Sequence, residues 1–180
     1  MDNGKISVRY ARALFQIAQE QGCEEAIYKG LTRFAHNYSL AIAQFNEVLA
    51  DPIVVQEEKV KLMEMAMGEP LHDTLKQFIA FVVDQKREDK MFFIAMKYME
   101  MYRERHSILS THVTTATELS ESSYEKIKAF IKKTFDADAE MEVKIDPSLI
   151  GGFILDIENT RMDASVAGQL NALKNKLKSS

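Results

Sequence analysis

The chain has 180 residues, 46% of them hydrophobic and 28% charged, with a formal net charge of −4. That is an ordinary globular balance, compatible with one domain or two small ones. The acid excess is slight and shared by both halves, so no basic domain is present to neutralise phosphates, and the single cysteine excludes an intrachain disulfide framework and fits a reducing compartment.

The N-terminus, MDNGKISVRYARALF, has no apolar leader, and the longest apolar runs, FIAFVV and MFFIAM, are far shorter than a membrane span. From there to about residue 106 the apolar period is helical. In the first helix Val8, Ala11, Phe15 and Ala18 line one face. Tyr10, Ala13, Leu14 and Ile17 widen the stripe toward a second. Ser7 is the expected N-cap and Gly22 the stop. Ile27, Leu31, Phe34 and Tyr38 mark a second helix; LAIAQFNEVLA is a short third, ended by Asp51-Pro52. A fourth spans 55–67 with Val60, Met63 and Met67 on one face. Gly68 and Pro70 separate it from a fifth over 71–86. The charged run DQKREDK is a break before a sixth over 91–105.

After His106 the pattern changes. SILSTHVTTATEL is β-branched and partly alternating, which predicts a strand. LSESSYEKIKAFIKKTF predicts a helix capped by Ser120, with Leu119 stapled onto Tyr124 and a face of Tyr124, Ile127, Ile131 and Phe135. AEMEVKI alternates, placing Met141, Val143 and Ile145 on one side. GFILDI predicts another strand, turned by Glu158-Asn159 into a short TRMD strand. A last helix starts near Ser165, with Val166, Leu170, Leu173 and Leu177 on one face, expected to pack on the sheet. The expected fold is α + (α+β): an N-terminal six-helix bundle, residues 1–105, then a small α+β domain, residues 106–180, with a short sheet and two helices.

Sites for chemistry are not evident. His36, His72, His106 and His112 have no metal-ligand spacing, and no Gly-rich nucleotide loop or nucleophile elbow occurs. GGFILDIENTRMDAS, residues 151–165, invites a phosphate-loop reading. A phosphate loop opens a helix, whereas Gly151-Gly152 opens a strand, and Asp163 and Ser165 stand where a helix cap belongs. No catalytic residue, metal or cofactor is expected. What stands out is apolar excess: the fifth and sixth helices are apolar all round over FIAFVV and MFFIAM, and the first has two apolar faces. An apolar groove between helices seats a partner helix. In the last helix Lys174, Lys176 and Lys178 are unopposed by acids. Gly168 lies inside it, where glycine costs about 1 kcal/mol relative to alanine, which predicts close approach of another backbone.

KIDPSLIGGFILDIENTRMDASVAGQLNALKNKL, residues 144–177, resembles the C-terminal motif of the delta subunit of bacterial F-type ATP synthases, the family of the mitochondrial oligomycin-sensitivity-conferring protein. Ile145, Asp146, Ile150, Gly151, Gly152, Asp163, Ser165, Val166, Gly168 and Leu170 fall on it. RYARALFQIAQEQG resembles the family's first helix, and Arg87 falls on its N-G-R segment. The sequence departs at Ala164, where the family has glycine, at Ala167, where it has arginine, and at Gln85-Lys86 in place of N-G.

The resemblance implies a non-catalytic connector that ties the catalytic head to the peripheral stalk and resists rotor torque. It implies a place on the cytoplasmic side of the bacterial membrane without insertion into it. The helical domain is then expected to bind N-terminal helices of the alpha subunit through Tyr10, Ala13, Leu14, Ile17, Phe78, Ile79 and Val82. The C-terminal domain is expected to bind the end of the stalk b subunit, with Gly151, Gly152, Asp163, Ser165, Gly168, Lys174 and Lys178 as motif and docking residues. The alternative reading is an unrelated helical protein-binding adaptor.

Overall fold

The computed structural model describes residues 3–158 and 160–178. The chain separates into two compact units, Met1–Tyr102 and Arg103–Ser180.

The first unit is helical: α1 (Asn3–Gln21), α2 (Glu24–Leu40), α3 (Ile42–Ala50), α4 (Gln56–Met67), α5 (Asp73–Asp84) and α6 (Met91–His106), whose last residues extend past the boundary. A short 3-10 turn, Glu88–Lys90, fills the charged break before α6. Ser7 does not cap α1. The helix begins earlier, at Asn3, and Ser7 is buried within it. The apolar stripe reaches back through that turn, so the helix continues past a residue that is a good cap only at an exposed end.

Helical periodicity does set the core. Leu14, Ile27, Leu31, Phe34, Met63 and Met67 are fully buried, as are Leu75, Ile79, Met91, Ile94 and Tyr98. Burying such side chains contributes roughly 1.5–3 kcal/mol each relative to exposure. Tyr98 keeps its polar tip satisfied by donating its hydroxyl to the Glu24 carbonyl at 3.1 Å, and its burial pushes the phenol well above its ordinary range. Its ring meets Phe15 edge-on at 5.4 Å, while Tyr28 stacks on Tyr102 at 4.2 Å. Lys59 is an enclosed charge: its Nζ donates to the Leu49 carbonyl at 2.6 Å and to Glu88 Oε1 at 2.9 Å. That pair ties the end of α3 and the 3-10 turn to α4.

The second unit holds a four-stranded sheet in the order β2-β1-β3-β4, with β1 (Ile108–Thr115), β2 (Asp138–Ile145), β3 (Phe153–Ile157) and β4 (Thr160–Asp163). β1 and β2 are parallel and joined through α7 (Glu121–Phe135); the β1–β3 and β3–β4 pairs are antiparallel. Ser120 caps α7, accepting the Ser123 N–H at 3.3 Å. Val113, Leu155 and Ile157 form the core with Ile127 and Ile131 of α7, and Leu119 packs at its edge. Val143 and Ile145 alternate as expected but are exposed at the far end of β2. Of the Glu158-Asn159 turn, Asn159 lies outside the described residues; Glu158 takes a positive φ of 47°.

The last helix, α8 (Val166–Lys178), departs from expectation. Of the expected stripe, Val166 is 40% and Leu170 54% exposed rather than buried against the sheet. The core face of the sheet is occupied by α7, and α8 starts instead beside Gly151, close to the 3-10 turn Pro147–Leu149. The side chains of Leu173 and Leu177 lie outside the described residues.

Candidate functional site

Two regions carry the residues singled out in the sequence. The first is the junction of α1 and α5. Gln21 accepts a hydrogen bond from the Thr74 hydroxyl, and Tyr10 stacks on Phe81 at 5.9 Å and meets Phe78 edge-on at 6.5 Å. The end of α1 thus lies against the start of α5, and the two helices run antiparallel. The seven expected groove residues divide by burial. Leu14, Ile79 and Val82 are fully buried and Phe78 nearly so, which makes them the support of this surface. Ala13 is exposed, Ile17 is 41% exposed and Tyr10 is half-buried. Phe81, 51% exposed beside Tyr10, was absent from the expected set. Its place three residues after Phe78 on an all-round apolar helix was the available signal. On α6, likewise, Phe93 and Met96 remain exposed while Met91, Ile94, Ala95 and Tyr98 are buried.

The second region is the segment 150–168. Gly152 has φ +74°, and a Cβ built on it would stand 2.2 Å from the Ala164 carbonyl oxygen. Only glycine fits that backbone and that gap. The Gly151 carbonyl accepts the Val166 N–H at 2.9 Å, and the Phe153 carbonyl accepts the Ala164 N–H at 2.9 Å. Asp163 Oδ1 accepts both the Ser165 N–H at 2.9 Å and the Ser165 hydroxyl at 2.6 Å. Ser165 Oγ in turn accepts the Gly168 N–H at 3.0 Å, capping α8. Ser165 is 1% exposed. These two hydrogen bonds from Ser165 hold the Asp163 carboxyl below the usual carboxylate range.

Gly168 answers a different need from the expected one. A Cβ there would lie 2.6 Å from Asp163 Oδ2, so it is a carboxylate that approaches, not another backbone. Ala164 is not among the residues with positive φ, so the turn accommodates alanine where the family motif has glycine. Asp163, Ser165 and Gly168 therefore interlock to fix the start of α8. The Ser165, Val166 and Gly168 N–H groups at this helix start are already engaged by the chain. Lys174 is exposed on α8; the side chain of Lys178 lies outside the described residues.

Among the described residues no group of His, Cys, Asp and Glu is arranged to hold a metal, and no helix is long and apolar enough to cross a membrane. A cleft of about 830 Å³ beside Leu49, Pro52, Val55 and Val83 includes the Lys59–Glu88 pair.

The family model for the ATP synthase delta (OSCP) subunit matches residues 6–177. The chain belongs to that family. It is similar to the ATP synthase subunit delta of Phocaeicola vulgatus, 36% identical over 172 residues, with 95% of this chain and 92% of the relative covered. The subunit delta of Bacteroides fragilis is 36% identical over 177 residues, covering 97% and 94%. That of Desulforamulus reducens is 30% identical over 179 residues, covering 99% and 98%. The fold is similar to a chain in the cryo-EM structure of the Toxoplasma gondii mitochondrial ATP synthase hexamer, with a TM-score of 0.66 at 19% identity, covering 95% and 96%. That likeness concerns the fold: a helix-rich protein with a small four-stranded sheet. Membership makes the chain a non-catalytic connector subunit of an F-type ATP synthase, homologous to the subunit that links the peripheral stalk, rather than an unrelated helical adaptor.

Proposed function

We propose that the two units serve two partners: the helical unit takes N-terminal helices of the alpha subunit, and the α+β unit takes the C-terminal end of the stalk b subunit. Such an arrangement holds the catalytic head against the torque of the rotor while the protein itself does no chemistry. It works on the cytoplasmic face of the membrane, as a peripheral part of the complex.

The observation that carries the first assignment is the exposed apolar strip of Ala13, Ile17 and Phe81 with Tyr10 at its edge, laid over a fully buried floor of Leu14, Ile79 and Val82. A strip between antiparallel helices fits the apolar face of a third helix. Binding of an alpha N-terminal peptide to the full chain, followed by calorimetry, tests it. Ile17→Glu and Phe81→Glu are expected to weaken binding about a hundredfold each, because a carboxylate would be enclosed unpaired. Both side chains already face solvent, so the fold is retained, and unchanged affinity in both variants removes the strip as the docking surface. Binding of a peptide from the C-terminal end of the stalk b protein is expected to survive them; its loss in the same variants would reverse the assignment of partners to units.

A further inference from the structure

β2 is an edge strand: the sheet order β2-β1-β3-β4 leaves its outer side without a strand partner among the described residues. A strand edge is a row of unpaired N–H and C=O groups, and folded proteins guard it with an inward-pointing charge, a proline, a bulge or a very short strand. β2 uses none of these. It pairs with β1 without interruption from Asp138 to Ile145 and contains no proline. Its inward row is Ala139, Met141, Val143 and Ile145. The first two pack against the core, while Val143 and Ile145 remain 39% and 49% exposed. The charges lie in the outward row. Asp138 is engaged by Lys132 at 3.0 Å and Glu140 by Arg103 at 2.9 Å, whereas Glu142 and Lys144 stand exposed beside one another along the edge.

This end of β2 is complementary to itself. Directly opposed residues of an antiparallel pair point to the same face and interact. A twofold axis through Val143 sets Val143 against Val143, Met141 against Ile145, and Glu142 against Lys144 on both sides of the axis. Moving the axis to Met141, Glu142 or Lys144 sets Glu142 against Glu140, Glu142 or Asp146, so charge selects the first register. We infer that β2 pairs with β2 of a second copy of this chain, antiparallel about Val143, and joins two four-stranded sheets into one. The contact is short, so the dimer is a weak one of the unassembled chain, and it shields the edge from pairing with other strands. It does not depend on which partner the α+β unit takes in the synthase.

Sedimentation velocity of the full chain at low ionic strength, where exposed charge pairs are least screened, is expected to show a reversible monomer–dimer equilibrium. Glu142→Lys and Lys144→Glu each set like charges against each other on both sides of the axis, and each is expected to weaken the dimer by about tenfold or more. Both side chains are exposed, so the fold is retained. An equimolar mixture of the two variants again sets Lys against Glu at both positions and is expected to restore the dimer. Val143→Cys is expected to cross-link to itself on oxidation, since directly opposed residues come within disulfide reach, whereas Ala139→Cys is not; the native Cys23 is buried. A chain that stays monomeric at millimolar concentration overturns the inference. So does a dimer that neither charge variant weakens, or one that the mixture does not restore, because either result puts the contact on another surface or in another register.

Discussion

Replacing Gly152 by alanine tests the frame of the second unit most directly. The new Cβ would be 2.2 Å from the Ala164 oxygen, 3.0 Å from Ser165 Cα and 3.1 Å from the Ala164 carbonyl carbon. All three atoms are backbone, so no side-chain rotation relieves the clash. The positive φ of 74° adds roughly 1 kcal/mol for any L side chain. Moving 164–165 away endangers the Ala164-to-Phe153 and Val166-to-Gly151 hydrogen bonds, each contributing about 1 kcal/mol. The expected loss is therefore about 3 kcal/mol, a large share of the stability of so small a unit. Gly151→Ala is the internal control. Its Cβ would meet only Val166 Cγ2, at 3.3 Å, a side chain with solvent beside it, and about 0.5 kcal/mol is expected. Amide hydrogen exchange of the full chain reads the two units separately. Exchange in residues 153–168 should accelerate in Gly152→Ala while the core of α2 and α5 keeps its protection. Equal effects of the two alanine substitutions would refute the close-approach argument.

Ser165→Ala removes the cap on the Gly168 N–H and one of the hydrogen bonds to Asp163, and is expected to cost about 1–2 kcal/mol by urea denaturation, with no effect on the helical unit. The lowered pKa of Asp163 means that its contribution is fully present above the ordinary carboxylate pKa of about 3.9 and is lost as pH falls through its lower folded value. Asp163→Asn should accordingly flatten the acid limb of stability against pH; an unchanged limb would show that other carboxylates govern it. In the helical unit, Lys59→Met strands Glu88 in a nearly enclosed place and should destabilise by about 3 kcal/mol, whereas the Lys59→Met, Glu88→Met pair should recover most of that in thermal unfolding.

Periodicity, with Gly and Pro as punctuation, announced the helical character of the first unit, because a helix must bury a stripe at a fixed angular spacing, and Ile27, Leu31, Phe34 and Tyr38 do so on α2. The change to alternation after His106 likewise announced strands, and Gly152 with Asp163 and Ser165 was readable as a frame, since turn and cap chemistry is local. The family followed from the same motif. Sequence did not decide which apolar residues remain outside. Leu14 and Ile17 stand three apart on one helix, yet the first is enclosed and the second 41% exposed, a difference set by the packing of other elements on α1 and not by the local pattern. Nor did it reveal that Gly168 makes room for a carboxylate, since that depends on the backbone conformation by which residues 163–165 enter α8. The exposure of Val166 and Leu170 on α8 has the same origin: their spacing was fixed by the residues, but it is α7 that takes the sheet's core face, an outcome that no single segment encodes.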